Sequence, residues 1–192
     1  MSSFIAHARG NSMTRRVTIV PYDPRWPHAF ATASAEVAAA LGANLLDIHH
    51  IGSTAIPGMH AKPVIDMLAV VAGMAAVAAR DAQMRALGYE PMGEFGIAGR
   101  RYFRRDNSAG ERTHQVHAFA KGSPHVQRHL AFRDFMRAHP EPAKQYAALK
   151  RRLADAHPND MEAYMDGKER FIKEMEAQAL AGATSSGDRD ES

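Results

Sequence analysis

The residues best suited to chemistry lie in one stretch, His49-His50-Ile51-Gly52-Ser53-Thr54-Ala55-Ile56-Pro57-Gly58-Met59-His60-Ala61-Lys62-Pro63-Val64-Ile65-Asp66-Met67-Leu68. An apolar run, LLDIHHI, leads into Gly52-Ser53, and a second, PVIDMLAVV, carries Asp66 at its centre. A carboxylate inside an apolar strand is costly unless it is paired or binds a ligand. Glycine after a strand permits a tight turn and leaves room for a ligand. The hydroxyls of Ser53 and Thr54 and nearby N–H groups can donate to a phosphate, and Lys62 can neutralise its charge. Asp66 can hold a divalent cation, which favours carboxylates together with substrate phosphates. The chemistry indicated is phosphate handling. The same residues also admit plainer roles, with Gly52-Ser53 as a turn, Ser53 as a helix cap and Asp66 as a buried acid paired with Arg or His. The stretch is not a P-loop, because GSTAIPGMHAK lacks the closing Gly-Lys-Ser/Thr, and no GxGxxG fingerprint occurs.

Two further groups could join this site. His114 and His117 sit three apart in RTHQVHAF, so a regular strand points them to opposite faces. His117 is preferred as the partner of Asp66, since Thr113, Gln115 and His117 share one face; a bulge would alter that choice. His50 lies closer than His49 to the strand's carboxyl end, where α/β sheets bind ligands. It could act as acid or base near neutrality, or fix the loop by a hydrogen bond. Arg100, Arg101, Arg104 and Arg105 could grip phosphate bidentately or guard an edge strand with charge. Glu94 is a minor candidate for an acidic ligand, and Arg128, Arg133 and Arg137, with His129, read as the wet side of a helix.

The elements that must position these groups follow from periodicity. Val17–Val20 reads as a short strand stopped by Pro21, and Asp23-Pro24 opens a helix. Trp26, Phe30, Ala33, Val37 and Leu41 form that helix's buried face, closed by Gly42. Residues 45–51 and 64–71 read as strands, the latter apolar on both faces apart from Asp66, as a central strand requires. Residues 74–87 read as one helix ending at Gly88. Residues 100–105 and 113–119 read as a hairpin about the turn-rich 106–111. From residue 123 the period is helical, with Ser123-Pro124 as cap and first turn, a break at His139-Pro140-Glu141-Pro142, and further helices over 143–156 and 160–180. A disordered leader, 1–16, and a disordered tail, 181–192, flank one domain, and Met13 is an alternative start.

Composition narrows the function classes. No cysteine is present among 192 residues, which removes disulfides, thiolate catalysis and zinc-thiolate sites. Basic residues exceed acidic ones by only 24 to 21, which permits an anionic ligand without demanding nucleic acid. No apolar run approaches the ~20 residues of a membrane span, and the start lacks a signal core, so a cytoplasmic location is expected.

HHIGSTAIPGMHAKPVIDMLAVV resembles the signature of the GrpB family (UPF0157), and the resemblance continues through GRRYFRR, RTHQVHAF, HLAFRDFMRAHPEPAKQYAALKRRLA and KERFIKEM, about residues 17–176. It implies a nucleotidyltransferase-like α/β fold, a mixed β-sheet flanked by helices with a helical C-terminal segment. That superfamily's usual pattern is Gly-Ser after one strand, Asp-x-Asp on the next and a third carboxylate later. Gly52, Ser53 and Asp66 match it. Leu68 stands at the second acidic position, as in other GrpB proteins, and His114 and His117 stand where the third acid is expected. The family usually has His-His-x-His there; this chain has Gln115 in the middle place. One aspartate cannot hold two metal ions about ~4 Å apart. Asp66 with His117 or His114 could hold a single divalent ion, with imidazole tilting the preference from Mg²⁺ toward Mn²⁺ or Zn²⁺.

The resemblance therefore implies metal-assisted nucleotidyl or phosphoryl transfer from a nucleoside triphosphate to a small acceptor. Asp66, His50 and Lys62 are the expected catalytic groups, Gly52, Ser53, Thr54, Lys62 and Arg101 the nucleotide-binding groups, and Asp66, His117 and His114 the metal ligands. The alternatives are a non-catalytic nucleotide- or anion-binding module and another Asp/His metal-dependent transferase or hydrolase. GrpB-like domains also occur fused to dephospho-coenzyme A kinase, a faint pointer to coenzyme metabolism.

Overall fold

The computed structural model describes residues 16–187, with side chains through residue 182. The leader through residue 15, Met13 included, and the last five residues lie outside the described residues. Five strands form one mixed sheet: β1 (Leu45–Ile51), β2 (Ile65–Val71), β3 (Glu90–Pro91), β4 (Arg101–Asp106) and β5 (Arg112–Ala120). The spatial order is β1-β2-β5-β4-β3, with β2 and β5 parallel and the other pairs antiparallel. Strand β2 is central and buried along its length apart from Asp66, as the doubly apolar pattern predicts.

Helices α1 (Trp26–Leu41), α2 (Met74–Ala78) and α3 (Asp81–Ala86) cover one face. Val37, Leu41, Val77 and Met84 meet Met67, Ala69, Val71, Val116 and Ala118 there. The opposite face receives α4 (Pro124–Ala138), whose Val126 and Leu130 pack on Ile51, Leu68 and Phe119. Helices α5 (Pro140–Ala156) and α6 (Met161–Gly187) stack outside α4, and Met136, Tyr146 and Met175 form a second core with Ile56 and Met59 of the β1–β2 connection. The parity of each strand therefore decides its chemistry. Asp66, Leu68, His117 and Phe119 face α4, whereas Met67, His114 and Val116 face the other layer.

Four expectations are corrected. Residues 17–20 contribute one bridge, Val20 with Ala61, because the Val17 N–H turns instead to the Pro158 carbonyl at 2.8 Å and no continuous ladder forms. The helix read over 74–87 is two, since the Arg80 N–H bonds the Val77 carbonyl three residues back and tightens the chain between them. The first helix starts at Trp26 rather than Pro24, because Asp23 is spent on an Asx turn with the Arg25 N–H at 2.9 Å. Helix α6 runs on to Gly187, past the expected helix end at 180, because ALAGA continues a helix-compatible run. The break at residues 139–142 is as read, with Pro140 and Pro142 in the first turn of α5. Among the described residues, no helix is long and apolar enough to cross a membrane.

Candidate functional site

Gly52 ends β1 at φ 72° and ψ −172°, and Ser53–Ala55 make one 3₁₀ turn before the chain crosses to β2. A single 3₁₀ turn offers little helix dipole, so the local backbone is a poor anion site by itself. The glycine has a steric cause: a Cβ at residue 52 would lie 2.5 Å from Asp66 Oδ2. Register sets Asp66 beside Gln115 of β5 and opposite Ile51 of β1. The turn is tied down from outside by α4, where Arg137 donates to the Ala55 carbonyl from Nε at 2.9 Å and Nη2 at 2.8 Å.

A cleft of about 170 Å³ opens beside this turn. Its sheet side supplies Ser53, Lys62, Asp66 and Gln115, and its helical side Lys150 from α5 and Tyr164 and Lys168 from α6. Lys150 is 2% exposed and its Nζ donates to Ser53 Oγ at 2.9 Å. The same ammonium lies 4.6 Å over the Tyr146 ring, and Lys168 lies 4.4 Å over the Tyr164 ring. Burial, reinforced by Lys168, pushes the Lys150 amine down to about 7. Burial, with Lys62 beside it and Asp66 opposing, pushes Lys168 down to about 8. Three lysines thus face one carboxylate among the residues lining the cleft.

The structure brings Gly52, Ser53, Lys62 and Asp66 together as expected. Thr54 lines the same cleft, but its hydroxyl is committed, donating to the Val64 carbonyl at 3.0 Å. It therefore accepts from His50 Nε2, also at 3.0 Å. His50 belongs to the other face, where it stacks on Phe30 at 4.8 Å and holds the turn. Its expected acid–base role gives way to its alternative, loop fixation, because Ile51 shares Asp66's face and the preceding residue must point away. Burial, with Arg137 and Arg133 adding to it, lowers His50 to about 4.

His117 shares the Asp66 face, with Nε2 at 3.9 Å from Oδ1. His114 does not: it packs on Tyr89 and contacts Arg105 Nη2 at 3.1 Å. Arg101 also points away and pairs with Asp81 of α3, so it does not reach the cleft. Arg100 reaches the site's edge instead, through His117. Among the described residues no three His, Asp or Glu side chains converge as metal ligands.

Sequence reasoning missed Lys150, Lys168 and Tyr164, whereas Gln115 lines the cleft on the face it was read to share with His117. A signal existed: Lys150 follows Tyr146 by four residues and Lys168 follows Tyr164 by four, on the stripes that also carry Leu153, Phe171 and Met175. A lysine on a core-facing stripe needs a reason to be there.

A family model described as GrpB protein matches residues 16–178. Protein YqkA of Bacillus subtilis is 47% identical over 165 residues, which is 86% of this chain and 48% of YqkA. A dephospho-CoA kinase of Mycolicibacterium paratuberculosis is 29% identical over 198 aligned positions, covering 89% of this chain and 48% of the kinase. The chain thus spans about half the length of each of these two relatives. The crystal structure of conserved protein GrpB from Enterococcus faecalis superposes with a TM-score of 0.82 at 39% identity, over 86% of this chain and 99% of that one. The signature around Gly52-Ser53 and Asp66, the mixed sheet with its helical layer, and the match over nearly all described residues converge on one assignment: the chain belongs to the GrpB family.

Proposed function

We propose that the cleft binds the phosphates of a nucleotide-class ligand and that the protein transfers a phosphoryl or nucleotidyl group from it to a small acceptor. The observation that carries this reading is Lys150. Its ammonium is buried, bonded to Ser53, and acted on by the like charge of Lys168. Burying a cation beside another cation is unfavourable, and an anion placed between Lys62, Lys150 and Lys168 removes the penalty. A cleft of about 170 Å³ admits phosphate groups rather than a whole nucleotide. The nucleoside would lie outside the cleft, toward solvent.

Asp66 is the one carboxylate lining the cleft, which fits a single divalent ion completed by phosphate oxygens and water, not a two-ion site. Such an ion, when bound, would offset charge on the phosphate being transferred. In the transfer, an acceptor oxygen bonds phosphorus, the bond to the leaving phosphate breaks, and the acceptor's proton goes to bulk water. The lysines offset the charge that develops on the leaving group. Ligand and acceptor are small molecules; neither nucleic acid nor a membrane is part of the reading.

The test is turnover of ATP and CTP across an acceptor panel, read as released phosphate or pyrophosphate. Asp66→Asn should abolish it, and turnover unchanged in that variant would sink the transferase reading. A second reading, a nucleotide- or anion-binding module without catalysis, draws on Leu68 at the usual second acidic position. It predicts saturable nucleotide binding with no turnover on any acceptor.

A further inference from the structure

Residues 92–99, between β3 and β4, form a loop whose purpose phosphate binding does not explain. Gly93, Gly96 and Gly99 have positive φ, and so does Phe95 at 46°, the only non-glycine among the described residues to do so. A bulky residue held there is strained, and such strain persists only where the surroundings enforce it. The loop closes on Arg100, which is 7% exposed. Arg100 Nε donates to the Glu94 carbonyl at 3.1 Å and Nη2 to the Phe95 carbonyl at 2.7 Å. The guanidinium lies 4.8 Å over Tyr102, and Phe95 stacks on the same ring at 5.3 Å. The remaining arm, Nη1, meets His117 Nδ1 at 3.3 Å.

That last contact has only one chemical solution. A guanidinium has donors and no acceptor, so Nδ1 must accept and the ring's proton must sit on Nε2. Nε2 is the nitrogen that faces Asp66 Oδ1, at 3.9 Å. A protonated ring nitrogen has no lone pair for a metal ion. The half-buried His129 ring also packs against the imidazole, at 5.8 Å. We infer that Arg100 and its loop hold His117 as the Nε2–H tautomer, a hydrogen-bond donor aimed at Asp66, so that His117 is a positioning residue for that carboxylate and not a metal ligand.

The pair stands at a distance longer than a direct hydrogen bond, so the imidazole acts on Asp66 electrostatically in the ligand-free protein. This role for Asp66 deepens the proposed function and rests on it; the tautomer itself does not.

The test is ¹⁵N NMR of histidine-labelled full chain without ligand, at a pH where the imidazole carries a single proton. Two-bond ring correlations report the tautomer, and His117→Gln identifies the signals. The expected result is the Nε2–H form in excess by about tenfold or more, the size a charge-assisted hydrogen bond gives. Arg100→Met should shift His117 toward a mixture, and added Zn²⁺ should leave the wild-type His117 ring nitrogens unshifted. A predominant Nδ1–H form in the wild type, or a Zn²⁺-induced shift of Nε2 that Asp66→Ala removes, would overturn the inference. The wild-type measurements decide it even if Arg100→Met does not fold. Because no nucleotide is present, loss of the phosphate reading would leave this result standing, and the reverse also holds.

Discussion

Replacing Gly52 by alanine tests the geometry of the site most sharply. Gly52 sits at φ 72° and ψ −172°, a region that residues with a Cβ almost never occupy. Forcing one there costs about 1–3 kcal/mol. The new Cβ would also lie 2.5 Å from Asp66 Oδ2 and 3.1 Å from Asp66 Cβ and Cγ. Overpacking of this kind adds about 1–3 kcal/mol, for a total of about 2–6 kcal/mol. Gly58 is the internal control. It has φ 74°, with nothing within 4 Å of its own added Cβ, so Gly58→Ala carries the backbone cost alone, about 1–2 kcal/mol. At about 2–4 °C per kcal/mol for a chain of this size, Gly52→Ala should lower Tm by roughly 4–24 °C and Gly58→Ala by roughly 2–8 °C. Calorimetry of both variants, and of Gly52→Ala combined with Asp66→Ala, isolates the contact: the excess should shrink once Oδ2 and Cγ are gone. A Gly52→Ala variant no less stable than Gly58→Ala would refute the close approach of the turn to Asp66.

Other predictions follow from the buried charges. Lys150→Met should stabilise the ligand-free protein at pH 7 by roughly 1–3 kcal/mol, because it removes a buried cation that lies beside Lys168; denaturant midpoints measure this. Lys150 and Lys168 are lowered in the folded state, to about 7 and about 8, so the unfolded chain binds more protons above neutrality. Wild-type stability should therefore rise between pH 7 and 9, by about 3–4 kcal/mol, and a flat profile would count against the buried lysines. On the acid side, His50 and His114 are both lowered to about 4, first by burial and then by nearby arginines. Their contribution is intact above the ordinary histidine range and is lost as pH falls toward 4, then levels off. A urea titration series should show His50→Gln flattening part of that acid slope.

Strand parity made much of the sheet legible from sequence. The pattern LLDIHHI marked β1 at its observed bounds, and the doubly apolar run around Asp66 marked a central strand. The same period-2 reasoning separates His117 from His114, and the structure places them on opposite faces. Applied to β1 it also predicts that His50 turns away from Asp66, a step that nearness to the strand's end obscured. The lysines were hidden for a different reason. Helical periodicity usually assigns charged residues to the wet side; the stripes that Lys150 and Lys168 share with Tyr146 and Tyr164 mark them as inward-facing, but nothing local names Ser53 and Asp66 as what they meet across the layer boundary. Arg100 and Arg101 are adjacent and chemically alike. Their division between His117 and Asp81 depends on strand register and on the positive-φ loop, neither of which composition reveals.

Under the proposed function, three lysines and Ser53 form a phosphate-binding cleft. Titration calorimetry of the full chain with pyrophosphate at pH 8, in two buffers of different ionisation heat, tests it most directly. One saturable site with proton uptake is expected, since the bound anion restores the proton to Lys150. Affinity should fall about tenfold or more in Lys150→Met and Lys168→Met, the loss of one charge-assisted contact. The surface variant Lys173→Met, which removes only an exposed ion pair with Glu169, should bind as the wild type does. Wild-type protein that binds no pyrophosphate, or Lys150→Met and Lys168→Met variants that bind it undiminished, would contradict the claim.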